Sequence, residues 1–138
     1  MLGDLIYEGK GKITSKRILE TNFDGTPRLE ISMTATGEMK ADGTEFTDTW
    51  TYWNESEAKG QGRGILKIKD ENGNEETASI EGHGIGKQKA PGVTHYAGTN
   101  FYTTQSKYKL AFLNNTIAVF EAEMDEYDNY SIKVWEWK

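Results

Sequence analysis

Two runs of alternating glycine constrain this chain more than any other feature. They span residues 60–64 and 82–86, and they flank the turn-forming segment 70–75. This spacing predicts a β-hairpin over residues 59–87, with all six glycines on one face because strand side chains alternate in direction. Glycine inside a strand indicates sharp curvature or the close approach of another group. One face of the hairpin therefore has a stretch without side chains.

A loop centred on Gly73 is predicted for this hairpin, because a left-handed glycine in a three- or five-residue loop is a common connection. The predicted opposing pairs are Gly60–Gly86, Gly62–Gly84, Gly64–Gly82, Leu66–Ile80 and Ile68–Ala78. Two interpretations of the glycine face stay open. Either aromatic side chains from other strands fill the gap, or the gap is a ligand pocket.

The rest of the chain also alternates with period two, and it contains no amphipathic helix of ten residues or more. Residues 29–39 and 44–53 have the clearest strand patterns. Less clear patterns favour the odd-numbered face of 94–104 as the inner face. They also favour a strand over 108–113, joined through an Asn114-Asn115 turn that pairs Phe112 with Ile117. The fold class predicted for residues 1–138 is all-β. A single domain is expected, an up-and-down antiparallel barrel of about eight to ten strands, with a sandwich as the alternative.

Composition excludes several classes of function. The net charge of −6 argues against a nucleic-acid backbone binder. The absence of cysteine removes disulfides and thiolate chemistry, and His83 and His95 lack metal-ligand spacing. The glycine of segment 70–76 is misplaced for a calcium loop, and no glycine run opens a helix to hold phosphate, so we predict neither a metal nor a cofactor. No segment is apolar enough to insert into a membrane, and we expect a soluble cytoplasmic protein.

The pattern resembles a known group of barrels through four segments: 60–64, 82–86, 113–121 and 135–137. It is similar to the calycin-type, lipocalin-like barrels, and in particular to allene oxide cyclase-like barrels and related uncharacterised prokaryotic proteins. The resemblance covers roughly Arg28 to the C-terminus and implies a barrel fold. No catalytic residue of the cyclases matches a position here, so the resemblance implies no cyclase activity.

Eight residues are the candidates for an interior ligand site. They are Asp48, Trp50, Tyr52, Gly62, Gly84, His95, Phe101 and Glu121. The aromatic rings would line a pocket for a small apolar or aromatic molecule. The carboxylates and the histidine are either structural anchors or an acid–base set. Three hypotheses follow: a barrel that binds a small ligand, an isomerase- or cyclase-like enzyme, or a structural protein with a filled core. Outward tryptophans among Trp53, Trp135 and Trp137 would indicate a homo-oligomer interface.

Overall fold

The alternating segments form eight antiparallel strands that close into one up-and-down barrel, with β1 hydrogen-bonded to β8. The computed structural model describes residues 2–138. The strands are β1 (Leu2–Thr21), β2 (Pro27–Met39), β3 (Glu45–Asn54), β4 (Lys59–Lys69), β5 (Glu75–Ala90), β6 (Val93–Thr103), β7 (Thr116–Asp125) and β8 (Asn129–Trp137). The predicted fold class is confirmed. Within residues 2–138, no helix has the length and apolar character needed to cross a membrane.

The glycine hairpin, β4–β5, has the predicted inner face but a register that differs by two residues. The observed pairs are Gly60–Gly84, Gly62–Gly82, Gly64–Ile80, Leu66–Ala78 and Ile68–Glu76. The loop is centred on Asn72, and Gly73 is its last residue, with a φ of 82°. A type I turn followed by a left-handed residue is the usual three-residue hairpin loop, and it places glycine last. A shift of two residues keeps every side chain on its face, so the glycines still face the interior.

The face predicted for β6 is wrong. Its even-numbered residues face the interior, while Phe101 is 49% exposed. The cause is a bulge in the β5–β6 hairpin: Ala90 pairs with Val93, but Gln88 pairs with Thr94, so Lys89 is an extra residue. One extra residue reverses which side chains of the partner strand point inward.

The predicted strand over 108–113 is also wrong. The segment contains a 3₁₀ helix, Ala111–Leu113, and Phe112 has no strand partner. Leu110 and Leu113 are fully buried, whereas Phe112 is 53% exposed. The connection from β6 to β7 is therefore a cap over one end of the barrel.

Buried and exposed polar contacts hold this cap in place. The buried carboxylate of Glu76 accepts hydrogen bonds from the backbone N–H of Leu110, at 3.0 Å, and from the hydroxyl of Ser106. The ammonium of Lys109 lies 3.0 Å from Glu71 and 3.5 Å from Asp42, which belong to two turns at the same end. This end of the barrel is closed, so access to the interior is from the opposite end.

Two neighbouring substitutions test the cap. Leu113→Ala is expected to lower the free energy of unfolding by about 3 kcal/mol, because it removes a fully buried side chain and leaves a cavity. Phe112→Ala is the matched control and should change it by less than about 0.5 kcal/mol. Urea denaturation of both variants measures the difference. Equal effects would show that the cap does not pack as described.

Candidate functional site

Inward-facing aromatic side chains lie directly opposite glycines on neighbouring strands. The pairs are Phe46–Gly37, Trp50–Gly64, Tyr52–Gly62, Tyr96–Gly86, Phe120–Gly98 and Tyr130–Gly11. Directly opposed residues are close neighbours in a sheet, and the rings of Phe46, Trp50 and Tyr96 lie over their partner glycines. The rings of Tyr52 and Phe120 instead lie over Gly60 and Gly84. The barrel interior is filled by aromatic rings that use the space over the glycines.

The glycines also set the orientation of these rings. A methyl group added at Gly64 would come within 2.6 Å of Cε3 of Trp50, and one at Gly82 within 3.0 Å of Cη2 of the same indole. The indole therefore lies along the wall, across both β4 and β5. Tyr96 lies against Gly86 in the same way, since a methyl group added at Gly86 would come within 2.6 Å of Cε1 of that ring. These rings therefore occupy the space that the glycines leave along the wall.

A cavity of about 30 Å³ remains between the rings. Its lining includes Met33, Asp48, Trp50, Tyr52, Gly62, Gly84, Tyr96, Asn100, Phe120, Ala122, Met124, Tyr130 and Ile132. The cavity lies in the glycine-rich half of the barrel, away from the cap. At the open end Tyr52 and Tyr96 pack edge to face, with ring centroids 5.4 Å apart. Aromatic side chains from other strands therefore fill most of the gap over the glycines, and the small cavity is the part that they leave empty.

A chain of hydrogen bonds ends at the carboxylate of Asp48. The amide of Asn100 donates to the hydroxyl oxygen of Tyr102 at 3.4 Å, and the hydroxyls of Tyr102 and Tyr7 lie 2.6 Å apart. The hydroxyl of Tyr7 donates to Oδ2 of Asp48 at 3.0 Å. Each donor in this series of hydrogen bonds can point toward the next acceptor, so the series ends with a hydroxyl that donates to Asp48.

Two acceptor oxygens in this group have no partner. Asp48 is 1% exposed and Asn100 is 3% exposed, and Oδ1 of each side chain forms no hydrogen bond within residues 2–138. Burial raises the pKa of Asp48 to about 7, although the hydrogen bond from Tyr7 opposes the shift. No ion pair formed by residues 2–138 includes Asp48. A buried carboxylate without a cationic neighbour is costly, and such groups occur often at functional sites.

Five of the eight candidate residues meet at this cavity: Asp48, Trp50, Tyr52, Gly62 and Gly84. The other three face outward, and their predicted inward orientation is wrong. His95 and Phe101 are reversed by the bulge in the β5–β6 hairpin, and His95 lies 3.5 Å from Glu123 on the outer wall. Glu121 pairs directly with Ala97, which faces outward on β6, and Glu121 is therefore exposed as well. The predicted three-residue acid–base set is therefore not assembled.

Four residues around Asp48 were not predicted from the sequence. Tyr7, Asn100, Tyr102 and Tyr130 all lie in strands, and the bulge in the β5–β6 hairpin decides that Asn100 and Tyr102 face the interior. Burial raises the pKa of Tyr7, Tyr102 and Tyr130 above the usual value for tyrosine. The one available signal was the spacing of Tyr96, Asn100 and Tyr102 on a single face of β6.

Among residues 2–138, no three His, Cys, Asp or Glu side chains are arranged to hold a metal ion. The architecture is that of the calycin-like barrels at a coarse level. Comparisons with protein-family models, curated proteins and solved structures find no match to this chain. The closer resemblance to allene oxide cyclase-like barrels stays a prediction.

Proposed function

We propose that this barrel binds a small, partly apolar molecule in its interior. The observation that supports the proposal is the pair of unpartnered acceptor oxygens, on Asp48 and Asn100, in an otherwise apolar cavity. Small-molecule sites combine an apolar lining with a few polar groups that fix the orientation of the ligand. Buried acceptors without partners are rare unless a ligand or water supplies the donor.

The size of the cavity limits which part of the ligand enters. A volume of about 30 Å³ accepts ordered water or a polar group of very few atoms, whereas drug-sized ligands occupy about 300 Å³ or more. A larger apolar part would extend from the cavity toward the open end, where the half-buried rings of Tyr52 and Tyr96 pack. The bound molecule therefore has a small polar head and a flat or narrow apolar tail.

Above about pH 7, where Asp48 is ionised, the head group is a hydrogen-bond donor, because both unpartnered atoms are then acceptors. An anionic head is unfavourable, since the cavity contains the carboxylate of Asp48 and no Lys or Arg lines it. Two like charges in a buried site repel strongly. Alcohols, phenols and amines fit this description, and fatty acids do not.

Benzyl alcohol is a suitable probe, because it has a donor head and a flat apolar tail. It should bind in the high micromolar to millimolar range and shift the NMR signal of the Trp50 indole. Ala122→Val narrows the cavity and should weaken binding at least tenfold. Ala97→Val is the matched control, because Ala97 faces outward on β6. No shift of the Trp50 signal with benzyl alcohol would contradict the proposal.

A structural role is the second candidate function. Phe101 and Ile117 are directly paired on the outer wall, as are Val119 and Trp135, and the first pair is largely exposed. Adjacent outward apolar residues of this kind suit contact with another copy of the chain. The filled interior also agrees with this role. Absence of ligand binding in the benzyl alcohol experiment would favour it.

A further inference from the structure

We propose that the ligand is an organic cation whose ammonium head bonds Oδ1 of Asp48 and Oδ1 of Asn100 inside the aromatic-lined cavity. This inference rests on the proposed function, and it narrows the three donor classes above to protonated amines.

No cationic side chain among residues 2–138 balances the negative charge of Asp48. Asp48 is fully enclosed, receives a hydrogen bond from Tyr7, and forms no ion pair with any residue from 2 to 138. A primary ammonium is compact and carries three donors without an acceptor. It would satisfy both unpartnered oxygens at once and neutralise the buried charge, which a neutral alcohol with one donor cannot do.

The aromatic lining of the cavity favours a cation over a neutral head. Trp50, Tyr52 and Tyr96 lie against Gly64, Gly60 and Gly86 respectively. All three rings line the cavity. Aromatic faces attract cations through the negative side of the ring quadrupole, and cages of aromatic rings bind ammonium ligands in this way. The glycine runs are what make this arrangement possible, because any larger residue would force the rings off the wall.

Asp48 is the group whose titration would control binding of the cation. The titratable side chains that face it are Tyr7 on β1, Tyr102 on β6 and Tyr130 on β8. All three stay neutral below pH 9, because their pKa values are raised. The neighbouring positions on β2 and β4 are Ala35 and Leu66, which do not titrate. Protonation of Asp48 below about pH 7 would therefore remove the negative charge that holds the ammonium.

Benzylamine and benzyl alcohol provide the test, since they share a tail and differ in the head. At pH 8 we expect calorimetry to show benzylamine binding at least tenfold more tightly than benzyl alcohol. Benzylamine affinity should be constant between about pH 8 and 9, where Asp48 is ionised and the amine is still protonated, and it should fall about tenfold for each pH unit below 6. Asp48→Asn should reduce benzylamine affinity to that of benzyl alcohol. The Trp50 indole signal should move on binding, and that of the exposed Trp137 should not.

The outcomes separate this inference from the function on which it rests. If both probes move the Trp50 signal with equal affinity, the interior site exists but its preference for a cation is refuted. If neither probe moves the signal, both proposals are wrong. Benzylamine binding that is unchanged between pH 5 and 8, or unchanged in Asp48→Asn, would refute the role of Asp48.

Discussion

Replacing Gly62 with leucine is expected to lower the free energy of unfolding by about 4 kcal/mol or more. Gly62 faces the interior, and a Cβ at this position would overlap the indole of Trp50. The indole cannot move aside easily, because it also lies against Gly64 and Gly82. Urea denaturation, followed by circular dichroism, would measure the loss, and the most severe outcome is a chain that does not fold.

Arg63→Leu is the matched control for this substitution. Arg63 is the next residue on the same strand but faces solvent, where its ion pair with Glu81 is long and exposed. The change should be less than about 0.5 kcal/mol. Adding Trp50→Ala to Gly62→Leu should restore part of the stability, because the two side chains would compete for one space. If Gly62→Leu leaves the free energy of unfolding unchanged, or if Arg63→Leu lowers it equally, then the inward and outward faces described for β4 are wrong.

The stability of the folded barrel is expected to decrease as the pH rises from about 4 to 7. The pKa of Asp48 is about 7 in the folded protein and near its ordinary value of 3.8 in the unfolded chain. Between these values the folded state holds a proton that the unfolded state has released, so raising the pH favours unfolding. At about 1.4 kcal/mol for each pH unit, the full effect amounts to roughly 4 kcal/mol.

Asp48→Asn should remove this dependence. The variant should be more stable than the wild type by about 1 kcal/mol near pH 4.5 and by about 4 kcal/mol above pH 7.5. Denaturation curves at four values between pH 4.5 and 8 measure both slopes. Hydrogen bonds and neighbouring cations lower the pKa of surface carboxylates such as Asp42 and Asp70, and their contributions disappear only below about pH 4. Equal slopes for the two proteins would show that Asp48 does not titrate in this window.

A residue that weakens the fold at neutral pH requires another explanation for its presence. Asparagine has nearly the same shape as aspartate and would accept the same hydrogen bond from Tyr7. Stability is commonly sacrificed where a binding or catalytic group must be held ready. A measured gain of this size from Asp48→Asn would support the proposed role of the carboxylate in ligand binding.

Much of the fold could be predicted from the sequence, because alternation is a local property. The inward faces of β2, β3, β4 and β5 follow from runs such as Leu29–Met39, in which apolar and polar residues alternate without interruption. The five candidates that line the cavity belong to β3, β4 and β5. Even the wrong register of the glycine hairpin left these faces intact, because it differed by an even number of residues.

The remainder could not be predicted, because it depends on contacts between strands. On β6 the inner face includes Gly98 and Asn100, so an apolar count favours the opposite face with Val93 and Phe101. Lys89 is the extra residue that determines which face of β6 points inward, and the sequence around it does not distinguish it. The Asn114-Asn115 turn was equally misleading, because the segment before it packs as a cap instead of a strand.

The bulge at Lys89 has a consequence for how such a barrel could diversify. Removing that single residue would turn β6 over, so that Asn100 and Tyr102 would exchange places with Phe101 and its outward neighbours. The polar groups of Asn100 and Tyr102 would then lie on the outer surface of the barrel, and the side chains of β6 that now face outward would line the interior. A change of one residue in the β5–β6 hairpin would thus replace the inward side chains of β6 in one step, without any substitution among them.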